Sequence, residues 1–202
     1  MSYYYGRYQG FRMGLILWLI TINLLMFIAR GLAPLVGKAS LDSLFGVQGA
    51  SLTSQPWTVF TAMWLHGSIW HILANMITLH FFGTYLTQLV GNRKFLAVYL
   101  IGGIVGNLLF ALLRPFDTAI GASGAVFAVG GALAVMRPKI QVFVFPIPAP
   151  IPLIGAVIGG FIILTMLSFM FRIAWEAHLG GLVVGLIAGY FFRRQESPRR
   201  VF

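Results

Sequence analysis

The sequence predicts an all-α membrane protein, a bundle of six transmembrane helices with a long outer loop between the first and second. Three observations carry that prediction. Of 202 residues, 59% are hydrophobic and only 9% charged, with a mean hydropathy of +0.89, whereas a soluble domain carries roughly a quarter of its residues charged. The few charges divide the chain into apolar windows of bilayer-crossing length. The 14 Lys and Arg residues fall unevenly on the two sides that those windows define. This composition excludes an ordinary water-soluble enzyme. Having no Cys, the chain can form no disulfide, thiolate metal site or cysteine nucleophile. The net charge of +10 is scattered in ones and twos, not gathered on a basic face, which speaks against a nucleic-acid partner.

The windows are 13–29, 43–92, 95–113, 118–136, 140–171 and 177–192. A span takes about 20 apolar residues, so 95–113 and 118–136 hold one each. In 43–92 the turn-rich opening from Gln48 to Pro56 reads as loop, leaving a helix from about Ser68 to Val90. The run from Pro146 to Pro152 removes backbone donors, so the fifth helix follows it to about Phe171. The first and last windows are short. Leu32, Ala33 and Leu35 extend the first past a snorkelling Arg30, and Ile173 to Trp175 extend the last at its start.

Alternating across six spans, one side collects Arg7, Arg12, Arg93, Lys94, Arg137, Lys139, Arg193, Arg194, Arg199 and Arg200. The other has Arg30, Lys38, Arg114 and Arg172. That positive-inside bias puts both termini in the cytoplasm. Asp42, Asp117 and Glu176 fall outside. A cleaved signal peptide over the first window would leave five spans and an outer N-terminus. The chain therefore reads as a single domain over 1–202, with a short cytoplasmic N-terminus (1–13) and a basic cytoplasmic tail (193–202).

Polar groups within spans are costly and point to function. His66, His71 and Asn75 lie at the start of the second span, Ser123 at the start of the fourth and His178 at the start of the sixth. These three spans run from outside to inside, so the residues share one depth just below the outer surface. Gly121-Ala122-Ser123-Gly124 sets a serine at a helix start, where free N–H groups and the dipole favour an oxyanion; a small-residue packing face would read the same way. His178, Gly181, Gly185 and Gly189 form one helical stripe, and Ser123, Phe127, Gly131 and Ala134 form a comparable one. Two such faces can approach closely enough for Ser123 and His178 to hydrogen-bond, an activated nucleophile that needs no metal or cofactor. His178 bonded to a backbone carbonyl is the alternative. His71 and Asn75, four apart, offer two donors on one face, although interhelical packing also explains them. His66 is expected to organise loop backbone, and His80, two turns deeper than Asn75, to be structural. No intramembrane carboxylate and no His-Glu-x-x-His supports a proton relay or zinc site.

Trp57-x-x-Phe60-Thr61, His66-x4-His71-x3-Asn75, Gly83, Gly121-x-Ser123-Gly124 and Ala177-His178-x-x-Gly181-x-x-x-Gly185 together resemble the rhomboid intramembrane serine proteases in their six-span form, across essentially the whole chain. The resemblance implies a dyad with Ser123 as nucleophile and His178 as general base. It implies an oxyanion site of the Ser123 amide, His71 and Asn75, with Gly121 keeping the serine loop open and Phe127 packing on the His178 ring. Asp117 and Glu176 match no catalytic acid of the family. Two departures, Thr58 where many members have Arg and Thr87-Gln88 where many have an acid, bear on how the outer loop is anchored, not on the chemistry. The implied activity is serine endopeptidase cleavage of transmembrane protein substrates near the outer face of the lipid bilayer, of a prokaryotic plasma membrane, without cofactors. The competing readings are a non-catalytic rhomboid-like protein that binds helices and a six-helix transporter. The transporter is weakened by missing intramembrane acids and paired repeats. The sequence specifies no oligomeric state.

Overall fold

A computed structural model describes residues 9–36, 40–144, 147–171 and 173–196. Arg7, Lys38, Pro146, Arg172, Arg199 and Arg200, the first eight residues and the last six lie outside the described residues.

The chain is mostly helical. Helix α1 spans Gln9–Leu32 and runs into a 3-10 turn at Ala33–Val36. Short elements follow: α2 Leu41–Phe45, β1 Val47–Gln48 and α3 Thr58–Thr61. Next, α4 Ile69–Thr78 passes through a π-helical turn, Leu79–Gly83, into α5 Thr84–Val90. After α6 Asn92–Leu113 come β2 Thr118–Ala119 and α7 Ser123–Met136. The hairpin β3 Gln141–Val142 and β4 Ile151–Pro152 leads to α8 Leu153–Leu167 and α9 Trp175–Glu196. Among the described residues, three stretches are long and apolar enough to cross a membrane, Gly14–Leu35, Asn92–Leu113 and Trp175–Glu196, which fits an integral membrane protein.

One expected boundary is corrected. The 118–136 window holds a helix only over its last 14 residues. Thr118 and Ala119 pair with Gln48 and Val47 as antiparallel strands, and Gly121 sits at φ +135°, so the helix cannot begin before Ser123. At about 1.5 Å per residue α7 reaches roughly 21 Å, less than the roughly 30 Å hydrocarbon layer.

Helix α7 is central, buried along nearly its whole length, and packs chiefly on α9 and α6. Small residues make this possible. A Cβ on Gly181 would land on the Gly124 carbonyl, one on Gly185 on that of Ala128, and one on Gly189 2.6 Å from that of Ala132. The stripe facing the α9 glycines is therefore Gly124, Ala128 and Ala132. The expected stripe of Ser123, Phe127, Gly131 and Ala134 is displaced by one residue at its upper positions, because Ser123 and Phe127 flank the seam and meet the His178 ring. A second glycine face, which the sequence reading did not single out, closes α6 on α9: Gly180 would meet Gly106 Cα at 2.8 Å. By contrast α8 buries only Leu153 and Val157.

The segment from 40 to 66 is folded against the bundle. Thr58, where the family pattern often has Arg, is buried and its hydroxyl donates to the Gln55 carbonyl (2.7 Å). Anchoring falls to other groups. Trp57 Nε1 donates to Leu44 O (2.9 Å), Thr61 Oγ1 to Phe45 O (2.9 Å), and Asn107 Nδ2 to Val59 O (2.8 Å). Arg30 holds Asp42 through two bonds of 2.7 Å. Both side chains keep about a quarter of their exposure, so Arg30→Ala is expected to cost only about 1 kcal/mol. Limited proteolysis should show faster cutting around residues 40–46, with little change in thermal unfolding.

Candidate active site

Ser123 opens α7 and His178 lies in the first turn of α9, 55 residues apart in sequence, and their side chains meet. The His178 Nε2 to Ser123 Oγ distance is 2.8 Å. Gly121 and the glycine seam explain the meeting: the first ends the preceding chain so that the helix starts on the serine, and the second lets the two backbones touch. His178 is buried. Its ring stacks on Phe127, one turn below Ser123, with centroids 4.8 Å apart and planes at 29°. Among the described residues nothing bonds its Nδ1.

His71 reaches the same place. A Cβ on Gly121 would lie 2.8 Å from His71 Cε1 and Nε2 and 3.7 Å from Ser123 Oγ, so the imidazole edge occupies the space that only glycine leaves free. A long contact, 3.4 Å, runs from the Gly67 N–H to His71 Nδ1. If Nδ1 accepts, the neutral ring carries its proton on Nε2, toward the serine. Ser68 caps α4 by accepting from the His71 N–H at 3.2 Å. Asn75 is buried one turn below and donates one amide hydrogen to the His71 carbonyl (2.9 Å), keeping its second for another acceptor.

The Ser123 amide is among the first N–H groups of α7, which have no intrahelical partner. The first bond closing the turn is Val126 N–H to Ala122 O (2.9 Å). A helix start and the edge of an imidazole thus flank one serine hydroxyl, an arrangement that can host a developing negative oxygen.

His66 is fully buried and packs edge-on against His71, centroids 5.0 Å apart. Among the described residues neither ring nitrogen has a hydrogen bond of standard geometry, but the ring interacts with the Trp64 backbone as well as packing on His71. A backbone tie is made by Gly121, whose N–H donates to Ala62 O (2.9 Å). Gly181 and Gly185 lie in the seam beneath Ser123 and His178, and His80 packs edge-on against Phe81 (5.2 Å) away from them. Asp117 lies 3.7 Å from Arg114, and Glu176 2.6 Å from it. That Arg114–Glu176 pair escaped the sequence reading, although both charges had been assigned to the same side of the bundle. No group of three or more His, Asp or Glu suited to a metal occurs among the described residues.

A family model described as Rhomboid domain matches residues 53–195. Over 182 residues the chain is 33% identical to "RHOMBOID-like protein 1" of Arabidopsis thaliana, covering 82% of this chain and 45% of that protein. It is 30% identical over 158 residues to "Rhomboid protein 1, mitochondrial" of Saccharomyces cerevisiae, covering 67% and 41%. "Rhomboid-like protease 3" of Toxoplasma gondii is 30% identical over 125 residues, covering 59% and 47%. The chain spans about half the length of the relatives it matches. Some of them are named as mitochondrial, so they lend no support to the expected prokaryotic plasma membrane.

Proposed function

The chain belongs to the rhomboid family, and on that premise we propose that it is an intramembrane serine endopeptidase, cleaving membrane-spanning segments of other proteins through an acyl-enzyme on Ser123. The observation that carries the reading is the 2.8 Å contact between Ser123 Oγ and His178 Nε2, made inside an apolar bundle where two unrelated polar side chains have little reason to meet.

In this reading the whole of 1–202 is one domain of six spans: α1, the α4–α5 rod, α6, α7, α8 and α9. The termini are cytoplasmic, the segment between α1 and α4 is the long outer loop, and the site opens outward. His178 takes the hydroxyl proton as Oγ attacks a peptide carbonyl, and the Phe127 face, 4.8 Å away, stabilises the imidazolium by its ring quadrupole. The tetrahedral oxyanion is held by the Ser123 amide, His71 Nε2–H and the second Asn75 N–H. Protonated His178 then gives its proton to the leaving amine, and water, activated by the same ring, releases the acyl group. No cofactor enters. A non-catalytic, helix-binding relative would have no use for a serine and an imidazole in contact.

The decisive experiment is covalent. Purified protein and its Ser123→Ala variant are exposed to a fluorescent fluorophosphonate; labelling confined to the wild type is expected, and equal labelling of both would remove the nucleophile. Asn75→Ala is expected to lower turnover of a single-span substrate about a hundredfold, a change read as kcat. If Asn75 only ties its own helix, thermal unfolding moves and kcat per folded molecule does not.

A further inference from the structure

We propose that Glu176 and Arg114 are positioning residues for His178: their ion pair, buried on the Glu176 side, fixes the axial register of α9, doing for this dyad what an acid bonded to the imidazole does elsewhere. The inference rests on the reading of His178 as base. Arg114 Nε lies 2.6 Å from Glu176 Oε1, with the Glu176 side chain 3% exposed. Glu176 sits in the first turn of α9, two residues before His178, and Arg114 ends α6.

Three features give the pair this role. First, His178 Nδ1 bonds nothing among the described residues, so no third side chain aims the ring by hydrogen bonding. Its orientation depends on the Phe127 stack and on where the backbone places the residue. Second, the seams on both sides of α9 are lined by Gly106, Gly180, Gly124 and Gly181. Small-residue faces let helices approach, but they offer few knobs to resist sliding along the axis. Third, a directional charged bond at the end that bears the histidine supplies the missing stop. Its carboxylate end is shielded from water, the Glu176 side chain being 3% exposed, while Arg114 keeps a third of its exposure. Among the described residues Glu176 Oε2 is buried without a partner. An acid in the first turn also suits the helix dipole. A slip of 1 Å would carry the 2.8 Å Ser–His contact out of hydrogen-bonding range, and displacements of that size cost about a hundredfold in rate.

A natural comparison exists at the other end of α9, where Arg137 bonds Glu196 at 2.8 and 3.0 Å. Glu196 raises the Arg137 pKa above its ordinary value through that bond. This pair ties α9 to the end of α7 far from the dyad, so it serves as a control for a merely structural effect.

The test uses the full chain reconstituted in lipid, reading the fluorophosphonate labelling rate, kcat and KM on a single-span substrate, and thermal unfolding. Glu176→Ala is expected to slow labelling and lower kcat together, by about 10 to 100-fold, with KM within about twofold. Glu176→Gln, which keeps an acceptor for Arg114 but loses the charge, should fall between it and wild type. Glu196→Gln should leave the labelling rate within about twofold even where it lowers the unfolding temperature. Folded Glu176→Ala that labels at the wild-type rate overturns the proposal. Should that variant not fold, Glu176→Gln labelling at the wild-type rate overturns it instead. Equal labelling of wild type and Ser123→Ala would defeat the dyad reading itself, a result distinct from either.

Discussion

Replacing Gly181 by Val is expected to abolish both fluorophosphonate labelling and substrate cleavage, and to destabilise the protein by roughly 3 kcal/mol or more. A Cβ at this position falls on the Gly124 carbonyl and 3.0 Å from Gly124 Cα. The obstacle is backbone, which cannot rotate away as a side chain can, so α7 and α9 must part. Gly181 is one turn below His178 and Gly124 is next to Ser123, so the parting occurs at the dyad. The same substitution at Gly155 in α8, where nothing lies within 4 Å of the added atom, should leave labelling and unfolding near wild type. Unfolding followed by intrinsic fluorescence in detergent, alongside labelling, separates the two positions. An active, stable Gly181→Val would mean that the α7–α9 seam is looser than described.

His178→Ala should lower labelling and cleavage about 10⁴-fold or more, because nucleophile and base act as one unit. The fold should survive. Among the described residues the imidazole makes one hydrogen bond, to Ser123, and one ring stack, on Phe127, together worth about 1 to 3 kcal/mol. Circular dichroism and unfolding temperature report whether that ledger holds, and a single-turnover assay reports residual chemistry. Substrate cleavage by this variant at the wild-type rate would assign the proton transfer to another group.

Readings from residue type carry over best, the Ser123 hydroxyl and the His178 imidazole lying 2.8 Å apart. Ser123 and His178 could be paired from the sequence because buried polar groups are rare in so apolar a chain, and each begins an apolar helix. His71 and Asn75 could be set on one helical face from their four-residue spacing, whereas the approach of the His71 ring to Gly121 emerges only in three dimensions. Readings that depended on helical phase fared less well. The facing stripe on α7 begins at Gly124, next to Ser123, because helix contact depends on the rotation of each rod about its axis, and an almost uniformly apolar surface carries no signal of that rotation.

By itself the sequence determined a helical membrane protein, the family to which it belongs, and the small set of polar side chains with chemistry to offer. Those follow from transfer free energies and helix periodicity, which act locally along the chain. Only the tertiary structure decided that β1 and β2 shorten α7, that Gly124 and not Ser123 faces Gly181, and that Arg114 meets Glu176 at the head of α9. Each of these joins residues about 60 or more apart. Their pairing is fixed by how closely glycine-lined backbones can approach, a property of two surfaces together that neither stretch of sequence contains alone.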